Sequence, residues 1–198
     1  TLEDATWLFG RNDSVYSVNF DRLRILPGEP RTYDAELEGD EQAAEKLAND
    51  CIADVFLELK IGAPVLFLYN DYDLGFMNGE RGHVVDMFDE SIVVEKALGG
   101  NVVVHRKAWT SKDADENVKA KMRQFPIKLA WAMTIHKSQG MTLDLLTCDV
   151  SESFAPGQTY VALSRASSIE GVALVEPMKP KHVKTDPKIV TFYQETTV

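Results

Sequence analysis

Residues 127–140 begin with an apolar run, in which Ile127, Leu129, Ala130, Trp131, Ala132 and Met133 are interrupted by Lys128, and end in a polar turn closed by Gly140. Before that glycine stand Thr134, His136, Lys137, Ser138 and Gln139, hydrogen-bonding side chains broken by Ile135 alone. An apolar strand passing into such a turn is what an open α/β sheet places at a ligand crevice, because loops at the carboxyl ends of its strands converge there. The turn has the composition of a loop that holds a polyanion. The same composition also suits a polar surface turn, and a single short run does not separate the two.

Elsewhere the chain supplies strands and helices in an order that suits such a sheet. Residues 5–9 are a short apolar run leading into Gly10, Arg11, Asn12, Asp13 and Ser14, after which Val15, Val18 and Asn19 suit a helix capped by Asp13 or Ser14. Strand, polar turn and helix again make a ligand-facing construction. Pro27, Gly28 and Pro30 mark a turn, and residues 32–39 are acidic and read as irregular. From Asp40 a helix is predicted, since Ala44, Leu47, Ala48, Cys51 and Ile52 recur at three- and four-residue spacing and Asp40 can cap it. At Leu57 the period changes: Leu57, Leu59 and Ile61 alternate, as in a strand ending at Gly62.

Residues 63–126 read as a small β module. Residues 65–69, 82–88, 91–97 and 101–109 are strand-like runs separated by turn signals such as Asn78-Gly79 and Gly99-Gly100, a pattern that suits a compact barrel. Residues 112–121 are polar and read as a mobile loop or a short surface helix. Beyond Gly140, residues 143–150 form a strand with Asp149 near its end, where its carboxylate can cap the next turn. Gln158 opens a helix, residues 171–175 make a further strand, and residues 183–193 a last helix with Pro187 near its first turn.

With 198 residues, 44% of them apolar and 26% charged, the chain has room for one ordinary soluble domain and a small inserted one. No apolar run approaches the roughly 18 to 20 residues of a membrane span, and no basic-then-apolar signal pattern opens the sequence. An intracellular protein is therefore expected, cytoplasmic in a prokaryote or virus-infected cell, nuclear or mitochondrial in a eukaryote. Cys51 and Cys148 are too few and too far apart for a metal cluster or disulfide framework and read as buried thiols. The net charge of −10 argues against a nucleic-acid partner until its distribution is considered. Residues 1–62 carry −8 and residues 63–126 carry −2, whereas residues 127–198 are neutral. Acidity thus sits on a flank and leaves room for a local phosphate site at the polar turn.

The run Thr134-Ile135-His136-Lys137-Ser138-Gln139-Gly140 resembles motif V of the Pif/RecD group of superfamily 1B DNA helicases. Tyr160-Val161-Ala162-Leu163-Ser164-Arg165-Ala166 resembles their motif VI, in the family's order and at a helicase-like separation. The resemblance reaches back through residues 59–65 and Asn78-Gly79 and covers nearly all of the chain, with residues 112–121 the least familiar. It implies an α/β fold: a RecA-like parallel-sheet domain, called 2A, from residues 1–62 and 127–198, interrupted at residues 63–126 by an SH3-like β-barrel subdomain, called 2B. In the family this is the second, C-terminal RecA-like domain. Residues 5–14 resemble motif IV, which sets a polar or basic residue near the ATP phosphates ahead of a helix containing an asparagine. Arg11 takes that place, or is a solvated turn arginine.

The same resemblance implies roles. Arg165 would act as an arginine finger on the γ-phosphate, unless it is a helix arginine paired to a surface acid. Thr134, His136 and Lys137 would hold phosphates of single-stranded DNA, while Gln139 and Gly140 lie towards the nucleotide. Trp109 and Trp131 offer faces for base stacking, although the apolar run around Trp131 suits a core position. ATP and Mg²⁺ are the implied cofactors, yet the chain has no Gly-x-x-x-x-Gly-Lys-Ser/Thr loop, and the glycine-rich residues 75–82 lack its lysine. An N-terminal RecA-like domain of the same polypeptide would complete the site, so this segment alone is expected to be inactive. Travel 5′ to 3′ on single-stranded DNA is also implied. The rival reading is a non-catalytic nucleic-acid- or protein-binding module on a helicase-derived fold; Gln139, Gly140 and Arg165 favour the motor, since a pure binder has no use for an arginine aimed at a phosphate.

Overall fold

The computed structural model describes residues 5–196. In chain order its elements are β1 (Thr6–Phe9), α1 (Asn12–Ile25), β2 (Arg31–Asp34), β3 (Glu36–Gly39), α2 (Glu41–Asp50), β4 (Phe56–Leu59), β5 (Pro64–Phe67), β6 (Arg81–Met87) and β7 (Ser91–Lys96). There follow β8 (Asn101–His105), β9 (Lys107–Lys112), β10 (Val118–Gln124), β11 (Ile127–Leu129), β12 (Ala132–Thr134), β13 (Leu146–Cys148), α3 (Gln158–Leu163), β14 (Val172–Leu174) and α4 (Pro187–Thr196). They gather into two compact units, Thr1–Phe20 with Trp131–Val198, and Asp21–Ala130.

In the first unit β12, β1, β13 and β14 lie side by side in that order, all parallel. Every residue of β12 and β13 is buried, Thr134 and Thr147 included, so burial is unbroken rather than alternating, as both faces of a covered parallel sheet require. Because the strands share one direction, Phe9 pairs with Thr134 and Leu8 with Cys148, so three strand ends meet at one edge. The segments that leave from this edge carry Arg11, His136 and Asp149. Gly171 admits β14 to the sheet: a Cβ there would lie 1.9 Å from the carbonyl oxygen of Asp144.

Several expectations for this unit need adjusting. Helix α1 starts at Asn12, so Asp13 and Ser14 lie inside its first turn rather than capping it. Strand β13 is shorter than residues 143–150, since Leu143 makes only an isolated bridge with Ala166 and Val150 enters a 3-10 turn. Asp149 starts that turn, its carboxylate accepting from the backbone N–H and the hydroxyl of Ser151, which is the capping role the sequence allowed. Helix α4 begins on Pro187, with Asp186 accepting from the N–H of Lys188.

The second unit is antiparallel. Its sheets run β11-β5-β6-β7-β8 and β3-β10-β9, with β2 and β4 as a separate pair. Phe67 and Phe76 stack at 4.2 Å and Tyr33 meets Phe125 edge-on at 4.9 Å within its core. Asp40 caps α2 as predicted, its carboxylate accepting from Ala43 N–H at 2.9 Å. Residues 112–121, expected as loop or helix, instead close the β9–β10 hairpin. The turn is held by Asp113, which accepts from the N–H groups of Asp115 and Asn117, and these bonds lower its carboxyl below the usual carboxylate range.

The division of the chain also differs from the expected 1–62 with 127–198 against 63–126. The parallel sheet takes no strand from residues 21–62: β4 pairs with β2, and β3 with β10. The boundaries therefore fall after Phe20 and after Ala130. The apolar run of residues 127–135 is two strands, β11 antiparallel to β5 and β12 parallel to β1. A continuous buried run has no period to show where one strand stops and another begins, and alternation such as Leu57, Leu59 records half-burial without naming the partner strand.

Candidate nucleotide and nucleic-acid site

The polar turn after β12 is built from its own hydrogen bonds. Thr134 is only 6% exposed, and its Oγ1 accepts from Lys137 N–H at 3.2 Å while its carbonyl accepts from Ser138 N–H at 3.0 Å. The buried hydroxyl of Ser138 donates to Ile135 O at 2.8 Å, and Ile135 N–H reaches back to Phe9 O at 2.9 Å. Gln139 N–H donates to His136 O and Met141 N–H to Ser138 O, tightening the turn. Gly140 closes it at φ +83°, where a side chain would be strained. Thr134 is thereby a pin beneath the turn, whereas His136 and Gln139 are exposed and Lys137 is half-buried. Ser138, given no role from the sequence, is the second pin; a small hydroxyl residue between polar neighbours was its only signal.

Arg11 lies two residues past the end of β1 with its side chain exposed. The carbonyl of Gly10 before it faces the side chain of Gln158, the first residue of α3, at 3.5 Å. Gln158 Oε1 also accepts from the N–H groups of Phe154 and Ala155, so it organises the entry to the helix.

Arg165 follows α3. Its Nε donates to Val161 O at 3.1 Å, its Nη1 to Met141 O at 3.2 Å and its Nη2 to Ser164 Oγ at 3.0 Å. These acceptors are carbonyls and a hydroxyl, which disfavours the reading of Arg165 as the partner of a surface acid. Leu143 N–H donates to Arg165 O at 2.8 Å, so the segment after Gly140 holds Arg165 by side chain and backbone. Behind α3, Thr159 Oγ1 donates to the carbonyl of buried His182 at 2.6 Å, and Lys184 Nζ to Ser153 O at 2.9 Å. Burial pushes the Cys148 thiol up to about 12, with the neighbouring Asp149 charge adding to the shift, so this cysteine is packing and not a nucleophile. Trp131 is half-buried and Trp109 half-buried in β9 of the other unit.

No family model matches the chain. The ATP-dependent DNA helicase Pif1 of Bdellovibrio bacteriovorus is 39% identical over 193 residues, an alignment covering 98% of this chain and 44% of that relative. Across nearly its whole length the chain is homologous to part of the Pif1 helicases. In three dimensions the Pif1-like chain is similar to Pif1 of Bacteroides sp in complex with ADP-AlF4, with a TM-score of 0.80 and 30% identity over 98% of this chain and 45% of that one. It is also similar to Bacteroides Pif1 bound to ssDNA, with a TM-score of 0.68 and 30% identity over 98% of this chain and 46% of that one. The Pif1-like chain thus spans less than half the length of these relatives, and its α/β fold with a parallel sheet matches theirs. Among its described residues no group of three or more His, Cys, Asp or Glu is placed to hold a metal.

Proposed function

We propose that this chain is the second motor domain of an ATP-dependent DNA helicase travelling 5′ to 3′ on single-stranded DNA, with the first unit as RecA-like domain 2A and strands of the second as the SH3-like 2B subdomain. The observation that carries this reading is the double link between the polar turn and motif VI, Arg165 Nη1 to Met141 O and Leu143 N–H to Arg165 O. A segment that grips a DNA phosphate is thereby tied to an arginine that serves a nucleotide phosphate. The solved relatives with ADP-AlF4 and with ssDNA support both ligand classes.

In this reading ATP lies between domain 2A and the N-terminal RecA-like domain of the longer polypeptide, which brings the P-loop lysine and the carboxylate for magnesium. Phosphoryl transfer passes through a loose transition state with charge spread over the γ-phosphoryl oxygens, and the protein contributes position and positive charge. Arg165 supplies that charge; arginines in this role accelerate turnover by about 10³ to 10⁵, or ~4 to 7 kcal/mol. Arg11 adds a second cation from the β1 turn, and Gln139 and Gly140 face the nucleotide. His136 and Lys137 hold DNA phosphates, with Thr134 and Ser138 keeping their turn in shape.

The test is ATP turnover with single-stranded DNA, by the intact protein and by the 198-residue segment alone. Turnover by the first and none by the second is expected. DNA-stimulated turnover by the segment, persisting through further purification, would overturn the reading.

A further inference from the structure

Ser164 stands between Arg165 and the helix that carries it. It caps the C-terminus of α3 with αR backbone geometry, and its side chain is exposed, so water alone would satisfy the hydroxyl. The hydroxyl nevertheless donates to Val161 O at 2.9 Å and accepts from Arg165 Nη2 at 3.0 Å. Val161 O accepts from Arg165 Nε as well, and Met141 O from Nη1. All three guanidinium nitrogens are therefore tethered. A guanidinium has five N–H groups in a rigid fork, so three such bonds leave one N–H on each terminal nitrogen, a spacing suited to two oxygens of one phosphoryl group. Two of the three tethers end on main-chain carbonyls. Ser164 is the tether that belongs to a side chain.

We propose that Ser164 is a positioning residue for Arg165: its hydroxyl fixes the rotation of the guanidinium so that the remaining N–H pair faces the transferring phosphoryl group. This rests on the reading of Arg165 as an arginine finger. The plainer account is a local serine-to-carbonyl bond that only caps α3, since serine commonly bonds back one turn at helix ends. The two roles differ in what removal of the hydroxyl touches. A cap affects folding, whereas a tether on the guanidinium affects the transition state and spares ground-state binding.

The experiment uses the intact protein with Ser164→Ala, Ser164→Thr, Arg165→Ala and the Ser164→Ala/Arg165→Ala pair. Ser164→Ala is expected to lower kcat about 3- to 10-fold, the loss of one ordinary hydrogen bond, with KM for ATP and affinity for single-stranded DNA unchanged. It should weaken binding of ADP with aluminium fluoride by a similar factor while leaving ADP alone unaffected. Ser164→Thr, which keeps the hydroxyl, should restore both, and Ser164→Ala should cost nothing further once Arg165 is alanine. Wild-type kcat and fluoride-complex affinity in Ser164→Ala, beside a large loss in Arg165→Ala, would overturn the positioning role alone. A loss that threonine fails to restore, or one of equal size with and without Arg165, would overturn it too. Wild-type turnover in Arg165→Ala would instead remove the arginine finger, and the role of Ser164 with it.

Discussion

The carboxamide of Asn19 in α1 holds the backbone of Ala132 in β12 at both ends: Nδ2 donates to Ala132 O at 2.9 Å and Oδ1 accepts from Ala132 N–H at 2.9 Å. Strand β12 lies at the edge of the parallel sheet, and Trp7 N–H takes the preceding carbonyl, Trp131 O, at 2.8 Å. Ala132 therefore turns its polar groups outward, where a side chain imitates the missing neighbour strand. Two residues later the same strand ends at Thr134 and the polar turn begins.

Asn19→Ala leaves both groups without their protein partner and should lower unfolding stability by about 1 to 3 kcal/mol, the worth of two ordinary hydrogen bonds. Asn19→Asp keeps the acceptor for Ala132 N–H but sets a carboxylate oxygen against the Ala132 carbonyl, so a cost at least as large is expected. Urea unfolding of the three proteins checks this. Equal stability of wild type and Asn19→Ala would mean that water replaces the carboxamide without loss.

His136→Ala with Lys137→Ala should weaken binding of single-stranded DNA and flatten its dependence on salt. Each phosphate that no longer meets a protein cation takes about 0.7 off the slope of log K against log salt concentration, because fewer counterions are released. Fluorescence anisotropy at several salt concentrations is the measurement, and an unchanged slope would return both residues to a surface turn.

Arg165→Ala in the intact protein should lower kcat by at least about 10²-fold and leave DNA affinity without nucleotide nearly unchanged. Were Arg165 only a surface-paired arginine, the same change would cost at most about 1 kcal/mol of stability and little turnover. Steady-state ATPase at saturating DNA, paired with a melting curve, separates the two.

The Cys148 thiol is raised from 9.0 to about 12 by burial. Above about pH 9 the unfolded chain releases this proton while the folded chain retains it, so stability falls as pH rises and continues to fall until the folded thiol itself ionises near 12. Unfolding free energies at about pH 8 and about pH 10 should show a smaller alkaline loss in Cys148→Ala than in the wild type. An identical loss in both would assign the alkaline sensitivity to other groups.

Local spacing alone determined the Asp40 cap, the strands flanking Gly99-Gly100, the start of α3 at Gln158, the proline at the head of α4 and the glycine-closed turn from Thr134 to Gly140. Caps, turns and periodic burial are settled among residues a few positions apart, and residue type reports them directly. The polar turn was legible for the same reason, because His136, Lys137 and Gln139 announce themselves by polarity beside an apolar run, whereas Arg165 was marked only by the resemblance of its segment to motif VI. Tertiary structure decided which strands share a sheet: it sent β4 to β2, split residues 127–135 between two units and turned residues 112–121 into a hairpin. It also made Thr134 a pin, paired Arg165 with Met141 and closed Asn19 on a residue 113 positions away. Such partners are chosen by backbone groups that look alike in every residue, and only the folded path of the chain brings one pair of them within hydrogen-bond reach.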